Sequence, residues 1–577
     1  MPPPLPLTAA PTPNLDWSRQ ATPVATEFDD IYFSTDGGIE ETQTVFLKGC
    51  DLPARWESGE DHVIGELGFG SGLNLLVAWQ ALEAVALPSQ RLDFISVEKF
   101  PFTTDMLRRA LSHWPDLSRL SERLIKLWPG PVKGVHRLNL SPQVSLTLYI
   151  DAVGPALDQM SAPVDSWFLD GFSPAKNPAM WSPDIMQKLA ALSHSETRLA
   201  TFTVAGDVRR ALIDAGFKVE KVAGFGRKRH RLEARFPNGP SKPNPMPLSP
   251  LIIGGGIGGA SLVKAFAARG HNAKLIHDDP QMQRAASGNP AAMIKPRLDL
   301  QDRPESRFFL AAYLHALRAY EDGGTILSRG ILQFAKDEKE QARFEKILSQ
   351  APLPTDHMQA HAKGLNFPKA LVIDPVKTVT AWREPADTMT AQVTKLTQRD
   401  GMWHALGVDG QSLDQSELMI VASGAGVKTI ELEDQGTLAD LLALRFSRGQ
   451  LTWANGPLEQ ATAYGGYAVN IDGDILLGAT HDRLDGRDPY SLRPEDDAYN
   501  LTMAKAFLGN GFELSERKGR ASLRVTTANT LPKLVEVAPR LWVMTGLGSR
   551  GFVFAPLRAE QLAAHLCGQS VAVAPEV

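Results

Sequence analysis

Leu251-Ile-Ile-Gly-Gly-Gly-Ile-Gly-Gly-Ala-Ser-Leu262 is the stretch that decides the fold of the C-terminal half. Three apolar residues predict a buried strand, and Gly254, Gly256 and Gly259 follow it with the spacing G-x-G-x-x-G. The apolar residues after the glycines predict a helix, so the motif has the strand-turn-helix context that it requires. Free N–H groups at the start of such a helix bind a diphosphate. We therefore predict a dinucleotide-binding domain that begins at Leu251.

The next strand, Ala273-Lys-Leu-Ile276, should end in an acid that binds a ribose. His277 stands at that position, and Asp278 and Asp279 follow it. We therefore expect the ribose contact to be displaced to Asp278 or made by another group.

A second glycine-rich turn lies in the N-terminal half, in Glu66-Leu-Gly-Phe-Gly-Ser-Gly-Leu-Asn74. Gly68, Gly70 and Gly72 let the backbone bend beneath a ligand where a side chain would collide with it. Glu98 closes the following strand, where an acid can accept the two hydroxyls of a ribose. The context predicts a second nucleotide site.

The two halves are joined by Pro237-Asn-Gly-Pro-Ser-Lys-Pro-Asn-Pro-Met-Pro-Leu-Ser-Pro250. Proline at this density forbids a continuous helix and favours a semi-stiff linker, with a long surface loop as the alternative. We therefore predict one domain over 1–236, a linker over 237–250 and a second domain over 251–577. In the first domain, apolar runs alternate with helical stretches, a pattern typical of a mostly parallel α/β sheet.

Composition excludes several classes of protein. A chain of 577 residues with 43% hydrophobic and 22% charged residues is globular and long enough for two domains. The net charge of −5 limits any nucleic-acid contact to a local patch, and two cysteines give no disulfide framework or metal cluster. The start of the chain does not resemble a signal peptide, and no apolar run is long enough to span a membrane. We expect a cytoplasmic, metal-free monomer.

A third motif follows another apolar strand: Asp170-Gly-Phe-Ser-Pro-Ala-Lys-Asn-Pro-Ala-Met-Trp181. An acid at the ligand-binding end of the sheet can accept N–H bonds from an amine, orient it and help to remove its proton. Asp170 is therefore our candidate for catalysis, with a helix or turn cap as the alternative. Further along, Arg227, Lys228, Arg229 and Arg231 form a basic run that is either a phosphate contact or a solvated turn.

The first glycine turn resembles the cofactor site of S-adenosylmethionine-dependent methyltransferases. The resemblance implies that Glu66 and the glycines hold the methionine and ribose portion, that Glu98 holds the ribose, and that Asp151 lies near the adenine unless it is an ordinary strand-end acid. The segments 170–181 and 224–229 are similar to the methyltransferase half of the bifunctional tRNA 5-methylaminomethyl-2-thiouridine biosynthesis family. In that family the methylated atom is the nitrogen of a side-chain amine on the modified wobble uridine. Phe172, Met180 and Trp181 are then base contacts or core residues, and we favour core for Met180.

The second half resembles FAD-dependent amine oxidoreductases of the D-amino-acid oxidase and glycine oxidase type. The resemblance rests on 286–296, 421–426, 448–450 and 545–552. It implies FAD and a Rossmann-type domain with an antiparallel-sheet substrate subdomain. The additional implied FAD contacts are Ser287, Asn289, Gly424, Gly546, Gly548, Ser549 and Gly551. Arg520 and Arg524 are four residues apart, and the resemblance favours Arg524 for the substrate carboxylate, then Arg550, with surface ion pairs as the alternative.

Together the resemblances imply two consecutive reactions on one tRNA nucleotide. The FAD domain would remove the carboxymethyl group of 5-carboxymethylaminomethyl-(2-thio)uridine as glyoxylate, and the N-terminal domain would methylate the exposed amine with S-adenosylmethionine. A glycine or sarcosine oxidase fused to an unrelated methyltransferase is one alternative. An RNA-binding protein without catalysis is another, which intact glycines at both cofactor sites disfavour.

Overall fold

The computed structural model describes residues 5–18, 22–33, 37–161, 163–226, 228–242 and 248–569. These residues form two compact units. The first comprises the described residues of 8–246 and 564–573, and the second comprises those of 1–7 and 247–563. Each unit is built on its own central sheet.

The first unit contains one small and one large sheet. Its strands are β1 (Leu15–Asp16), β2 (Val24–Ala25), β3 (Asp30–Ile31), β4 (His62–Leu67), β5 (Leu92–Glu98), β6 (Gly134–Asn139), β7 (Val144–Ile150), β8 (Val164–Leu169), β9 (Ser193–Thr201), β10 (Lys218–Ala223) and β11 (His230–Arg235). Its helices are α1 (Gly38–Glu41), α2 (Leu73–Glu83), α3 (Thr104–Leu111), α4 (Ser118–Leu127), α5 (Val153–Leu157), α6 (Pro183–Ala191) and α7 (Gly206–Asp214).

The large sheet has the strand order β10-β11-β9-β8-β4-β5-β7-β6. The five central strands pair in parallel, and β6, β10 and β11 add antiparallel edges. Side chains alternate between two apolar layers: Ile64 and Phe168 join one core, and Leu67 and Trp167 join the other. Burial on both faces explains why these strands are continuous apolar runs. The prediction of a mostly parallel α/β sheet is confirmed.

The second unit has three sheets. Its strands are β12 (Leu251–Ile253), β13 (Lys274–His277), β14 (Ala292–Ile294), β15 (Ile326–Phe334), β16 (Gln359–His361), β17 (Gly364–Ile373), β18 (Asp387–Thr390), β19 (Lys395–Arg399), β20 (Met402–Leu406), β21 (Ser412–Ser416), β22 (Met419–Val421), β23 (Glu431–Leu432), β24 (Gly436–Thr437), β25 (Arg445–Asn455), β26 (Ala461–Ala463), β27 (Tyr467–Ile471), β28 (Asp474–Gly478), β29 (Asp482–Arg483), β30 (Glu513–Leu514), β31 (Arg520–Thr526), β32 (Lys533–Ala538) and β33 (Leu541–Thr545). Its helices are α8 (Ile257–Ala267), α9 (Pro304–Glu321), α10 (Glu338–Gln350), α11 (Pro375–Arg383), α12 (Leu438–Leu441), α13 (Pro494–Leu508) and α14 (Gly551–Leu566).

The nucleotide-binding sheet of this unit has the order β18-β13-β12-β22-β33-β32, and all pairs except β32 with β33 are parallel. An eleven-stranded sheet, in which only β15 and β26 pair in parallel, and a five-stranded sheet complete the unit. The Rossmann-type domain with an antiparallel-sheet subdomain is therefore confirmed. Within the described ranges, no helix is long and apolar enough to cross a membrane.

Candidate active sites

The first glycine turn connects β4 to α2 in a left-handed backbone. Gly68, Gly70 and Gly72 have φ values of 90°, 54° and 76°, which favour glycine. A Cβ on Gly68 would lie 3.0 Å from Cα of Gly171, so this turn packs directly against the loop that begins at Asp170. The two predicted motifs therefore form one site.

Asn74, in the first turn of α2, joins the two acids of this site. Its Nδ2 donates hydrogen bonds to Glu66 Oε1 at 2.9 Å and to Asp170 Oδ2 at 2.8 Å. Its Oδ1 accepts a hydrogen bond from the Thr42 hydroxyl at 2.8 Å, which fixes the orientation of the amide. Ser96 donates to the second oxygen of Glu66. Glu66 is thus a buried support for Asn74, and burial raises its pKa well above the usual range.

The Asp170 carboxylate accepts two hydrogen bonds and has a raised pKa. Its Oδ1 accepts the backbone N–H of Gly171 at 2.8 Å, and burial raises its pKa to about 6 despite that bond and the bond from Asn74. A carboxylate with this pKa is mostly ionised at pH 7 yet is a stronger base than an ordinary aspartate. The geometry suits a group that orients an amine and takes its proton.

Glu98 and Asp151 occupy the ends of neighbouring strands. Glu98 accepts the backbone N–H groups of Gly70 and Phe100, each at 2.8 Å, which leaves further lone pairs for a ribose hydroxyl beside the turn. Asp151 is partly exposed, and its Oδ1 accepts the N–H of Ala152, the residue before α5. The roles of these two acids toward a cofactor stay predictions.

Aromatic side chains line the loop after Asp170. Phe172 is stacked on Phe28 with ring centroids 4.4 Å apart, and it forms a T-shaped pair with Tyr32 with centroids 5.2 Å apart. Met180 and Trp181 are buried, and Trp181 Nε1 donates to the Phe172 carbonyl at 3.0 Å. Phe172 therefore belongs to an aromatic cluster with Phe28 and Tyr32, whereas Met180 and Trp181 belong to the hydrophobic core.

The basic run divides into residues with different surroundings. Arg227 lies outside the described residues. Lys228 pairs with Glu41 at 3.2 Å and lies close enough to Asp170 to lower the pKa of that acid, while Arg229 is exposed. Arg231 is buried, and its guanidinium binds Glu233 and the Ala223 carbonyl at 2.5 Å each. The structure thus gives Arg231 a structural role, places Lys228 near Asp170 and leaves Arg229 exposed.

In the second unit, the predicted glycine turn opens a cavity of about 540 Å³. Gly254 has a φ of 112°, and a Cβ there would lie 2.4 Å from Cα of Ser423. A Cβ on Gly259 would lie 1.8 Å from the Gly254 carbonyl oxygen, so helix and strand meet too closely for any side chain. Gly256 precedes α8, and the first N–H of that helix donates to the Ser287 hydroxyl at 2.9 Å. This cradle fits a dinucleotide diphosphate.

The three residues after Ile276 have distinct roles. His277 is buried beside the glycine turn, and burial and the charge of Arg383 lower its pKa. Asp278 lines the cavity and pairs with Arg284 at 2.9 Å. Asp279 accepts three backbone N–H groups from 283–285 and shapes the next turn. Of the two acids, Asp278 is therefore the one that remains available as a ribose ligand.

Arg520 fastens the segment that contains Ser287 and Asn289. Its guanidinium donates to Asn289 Oδ1 at 3.1 Å and to the Met282 and Ala285 carbonyls. Because β31 has a two-residue side-chain period, Arg524 lies on the same strand face as Arg520. Arg524 lines the cavity, donates to the Thr480 carbonyl at 3.0 Å and lies against Gly449, whose Cβ would be 2.3 Å from Nη1.

The C-terminal glycine segment completes the cavity. Gly546 and Gly548 have φ values of 72° and 57° between β33 and α14, and Arg550 follows them. Arg550 lines the cavity, where burial and the charge of Arg297 lower its pKa and Asp299 opposes them in part. The predicted FAD contacts that line the cavity are Gly254, Gly256, Asp278, Ser287, Asn289, Gly424, Gly546, Gly548, Ser549 and Gly551.

Comparisons with known proteins match both halves. The family model for S-adenosyl-L-methionine-dependent methyltransferases matches residues 115–237, and that for FAD-dependent oxidoreductases matches 251–565. The tRNA 5-methylaminomethyl-2-thiouridine biosynthesis bifunctional protein MnmC of Caulobacter sp. (strain K31) is 40% identical over 97% of this chain and 94% of the relative. The protein of the same name from Maricaulis maris (strain MCS10) is 38% identical with the same coverage. The chain belongs to the MnmC family.

Membership of the MnmC family confirms the resemblance drawn from the motifs. The protein is an enzyme with a methyltransferase domain that uses S-adenosylmethionine and an oxidoreductase domain that uses FAD. Among solved structures, glycine oxidase from Geobacillus kaustophilus aligns with 18% identity and a TM-score of 0.47, covering 56% of this chain and 95% of its own.

The sequence motifs do not predict the contacts of three further residues. They contain Asn74 only as the last residue of a turn and Arg520 only as a neighbour of Arg524, and they give no role to Lys295, which lines the cavity of the second unit and donates to Gln333 Oε1 at 2.9 Å. The spacing of Arg520 from Arg524 placed both on one strand face. No local signal identified the other two, because their partners lie on distant segments.

Proposed function

We propose that this protein completes the modification of a tRNA wobble uridine in two steps. The second unit oxidises the carboxymethylaminomethyl group, water hydrolyses the resulting imine, and glyoxylate leaves a primary amine behind. The first unit then methylates that amine. The proposal is carried by the juxtaposition of Asp170 with the first glycine turn, together with membership of the MnmC family, whose relatives are named for 5-methylaminomethyl-2-thiouridine biosynthesis.

For the oxidation, bound FAD supplies a hydride acceptor. Arg524 is held by the Thr480 carbonyl and by contact with Gly449, so its fork is oriented before a substrate arrives. Such a fork donates two parallel hydrogen bonds to a carboxylate. Arg550 adds positive charge to the same cavity and is the second candidate for this contact. Their common role is to fix the glycine-like end of the substrate.

For the methylation, bound S-adenosylmethionine supplies an activated methyl group. Asp170 accepts an N–H of the substrate amine, turns its lone pair toward the methyl group and removes the proton. The aromatic cluster of Phe28, Tyr32 and Phe172 offers an apolar surface against which the uridine base can pack. Lys228 and Arg229 supply phosphate contacts beside that position, and Asp151 remains a proposed adenine contact.

Four further features belong to this proposal. The chain divides into domains over 1–236 and 251–577 with a linker over 237–250, supported by the separate sheets of the two units. It acts on tRNA in the cytoplasm, as a monomer and without a metal.

The test uses tRNA that carries 5-carboxymethylaminomethyl-2-thiouridine. Incubation without S-adenosylmethionine should yield the aminomethyl nucleoside and glyoxylate. Addition of S-adenosylmethionine should yield the methylaminomethyl nucleoside. The two nucleosides are measured by mass spectrometry. Asp170→Asn should stop the second step and leave the first. Oxidation of free sarcosine as fast as of this tRNA would instead identify a small-molecule oxidase.

A further inference from the structure

Lys295 brings an amine into the oxidase cavity. It follows β14 directly and lines the same cavity as Arg524 and Arg550. Its Nζ donates a hydrogen bond to Gln333 Oε1 on β15 at 2.9 Å. Across the described ranges of the chain, the partly exposed Lys295 has no carboxylate within ion-pair distance.

The surroundings of Lys295 disfavour its charged form. Burial is the largest cause, Arg550 and Arg343 add repulsion, and Glu340 on α10 opposes them only in part. Together they lower the pKa of Lys295 to about 7. A free lysine has a pKa of about 10.4, so this side chain is exceptional in having a lone pair at neutral pH.

The reaction proposed above needs a group of this kind. The substrate amine is a secondary alkylamine, which is protonated in water as lysine is. Hydride cannot leave the carbon beside a protonated nitrogen, because the nitrogen lone pair must form the new C=N bond. The nitrogen is one methylene from the carboxylate that Arg524 and Arg550 are proposed to hold, which keeps it in the cavity lined by Lys295.

We propose that Lys295 is the base that removes the proton from the substrate's secondary ammonium ion before oxidation. The N–H bond of the ammonium breaks, its electron pair stays on the substrate nitrogen, and the proton forms a new N–H bond on Lys295. No other reactant is consumed, and Gln333 accepts a hydrogen bond from the resulting ammonium. This inference rests on the proposed oxidation.

The first test compares Lys295→Met and Lys295→Arg with the wild-type holoenzyme. The rate of anaerobic flavin reduction by tRNA carrying the carboxymethylaminomethyl group is measured from pH 6 to 10. The rate of flavin reduction by the wild-type enzyme should increase as the pH rises through about 7. Both variants should be about 10²-fold slower at pH 7 and should recover only as the substrate loses its own proton at higher pH. Lys346→Met, an exposed lysine on α10, should match wild type.

The second test needs no variant and no turnover. The wild-type holoenzyme is acetylated in trace amounts at each pH, and the modification of every lysine is quantified by peptide mass spectrometry. Lys295 should reach half-maximal reactivity near pH 7, well below Lys346. A midpoint near that of an ordinary lysine, or an unchanged pH profile in Lys295→Met, would overturn the inference. If wild type itself fails to reduce its flavin with this tRNA, the proposed function fails, and the role of Lys295 fails with it.

Discussion

Asn74→Leu tests how the methyltransferase site maintains its base. The substitution keeps a buried side chain of similar size on α2 but removes the amide that donates to both Glu66 and Asp170. Among the residues that the structure describes, Asp170 then keeps only the N–H of Gly171 as a donor to its carboxylate. Because a hydrogen bond to a carboxylate stabilises the ionised form, its loss should raise the pKa of Asp170 further.

The size of the effect follows from the bond that is lost. A hydrogen bond to a charged group contributes about 1.5–3 kcal/mol. One pKa unit corresponds to about 1.4 kcal/mol, so the pKa of Asp170 should rise from about 6 by about one to two units. The ionised fraction at pH 7 then falls from about nine-tenths to between about one-half and one-tenth. Methyl transfer at pH 7 should slow about two- to tenfold and recover near pH 9.

The assay is single-turnover methyl transfer from radiolabelled S-adenosylmethionine to aminomethyl-uridine tRNA, measured between pH 5 and 9.5. Wild type should lose activity as the pH falls through about 6, because protonated Asp170 cannot accept the amine proton. Thr42→Val removes only the hydroxyl behind the Asn74 amide and should shift the profile much less. An equal loss at every pH in Asn74→Leu would refute the argument, since it would indicate damaged cofactor binding rather than a weaker base.

Three further outcomes are expected. Gly254→Ala places a Cβ against the β22 loop and should yield protein without bound flavin, judged by its visible spectrum, that still methylates aminomethyl tRNA. Lys228→Ala should weaken tRNA binding and reduce the slope of log affinity against log salt by about 1, as for one lost phosphate contact. A slope that stays unchanged would exclude such a contact. Arg231→Ala should instead lower the free energy of unfolding of the first unit by about 2 kcal/mol in a denaturant titration, because buried charged hydrogen bonds are lost.

Both cofactor domains could be predicted from sequence because glycine turns are local. Gly68 and Gly254 have positive φ values, and backbone atoms lie too close to them for a side chain to fit easily. These requirements are independent of the rest of the chain, and the flanking strands are short apolar runs. Asp170 was also identifiable, since it directly follows a buried strand. Its raised pKa was not, because that depends on burial and on groups from α1, α2 and the basic run.

The basic run shows where reading the sequence fails. Four cations in five positions look equivalent, but β11 begins at His230 and turns Arg231 inward while Arg229 stays exposed. Strand alternation could have separated them only if the start of that strand had been known. Asn74 and Asp170 are 96 residues apart, so only the pairing of β4 with β8 brings them together.

Gly449 has a consequence for protein engineering. Because Gly449 has no side chain, the Arg524 guanidinium can pack directly against its backbone, although Gly449 itself carries no reactive group. Any larger residue there must push the guanidinium aside. The residue at position 449 should therefore affect the preference for carboxylated substrates through Arg524. Gly449→Ala should raise KM for carboxylated amines more than it changes kcat. Such a variant would be a starting point for selecting oxidases of uncharged amines.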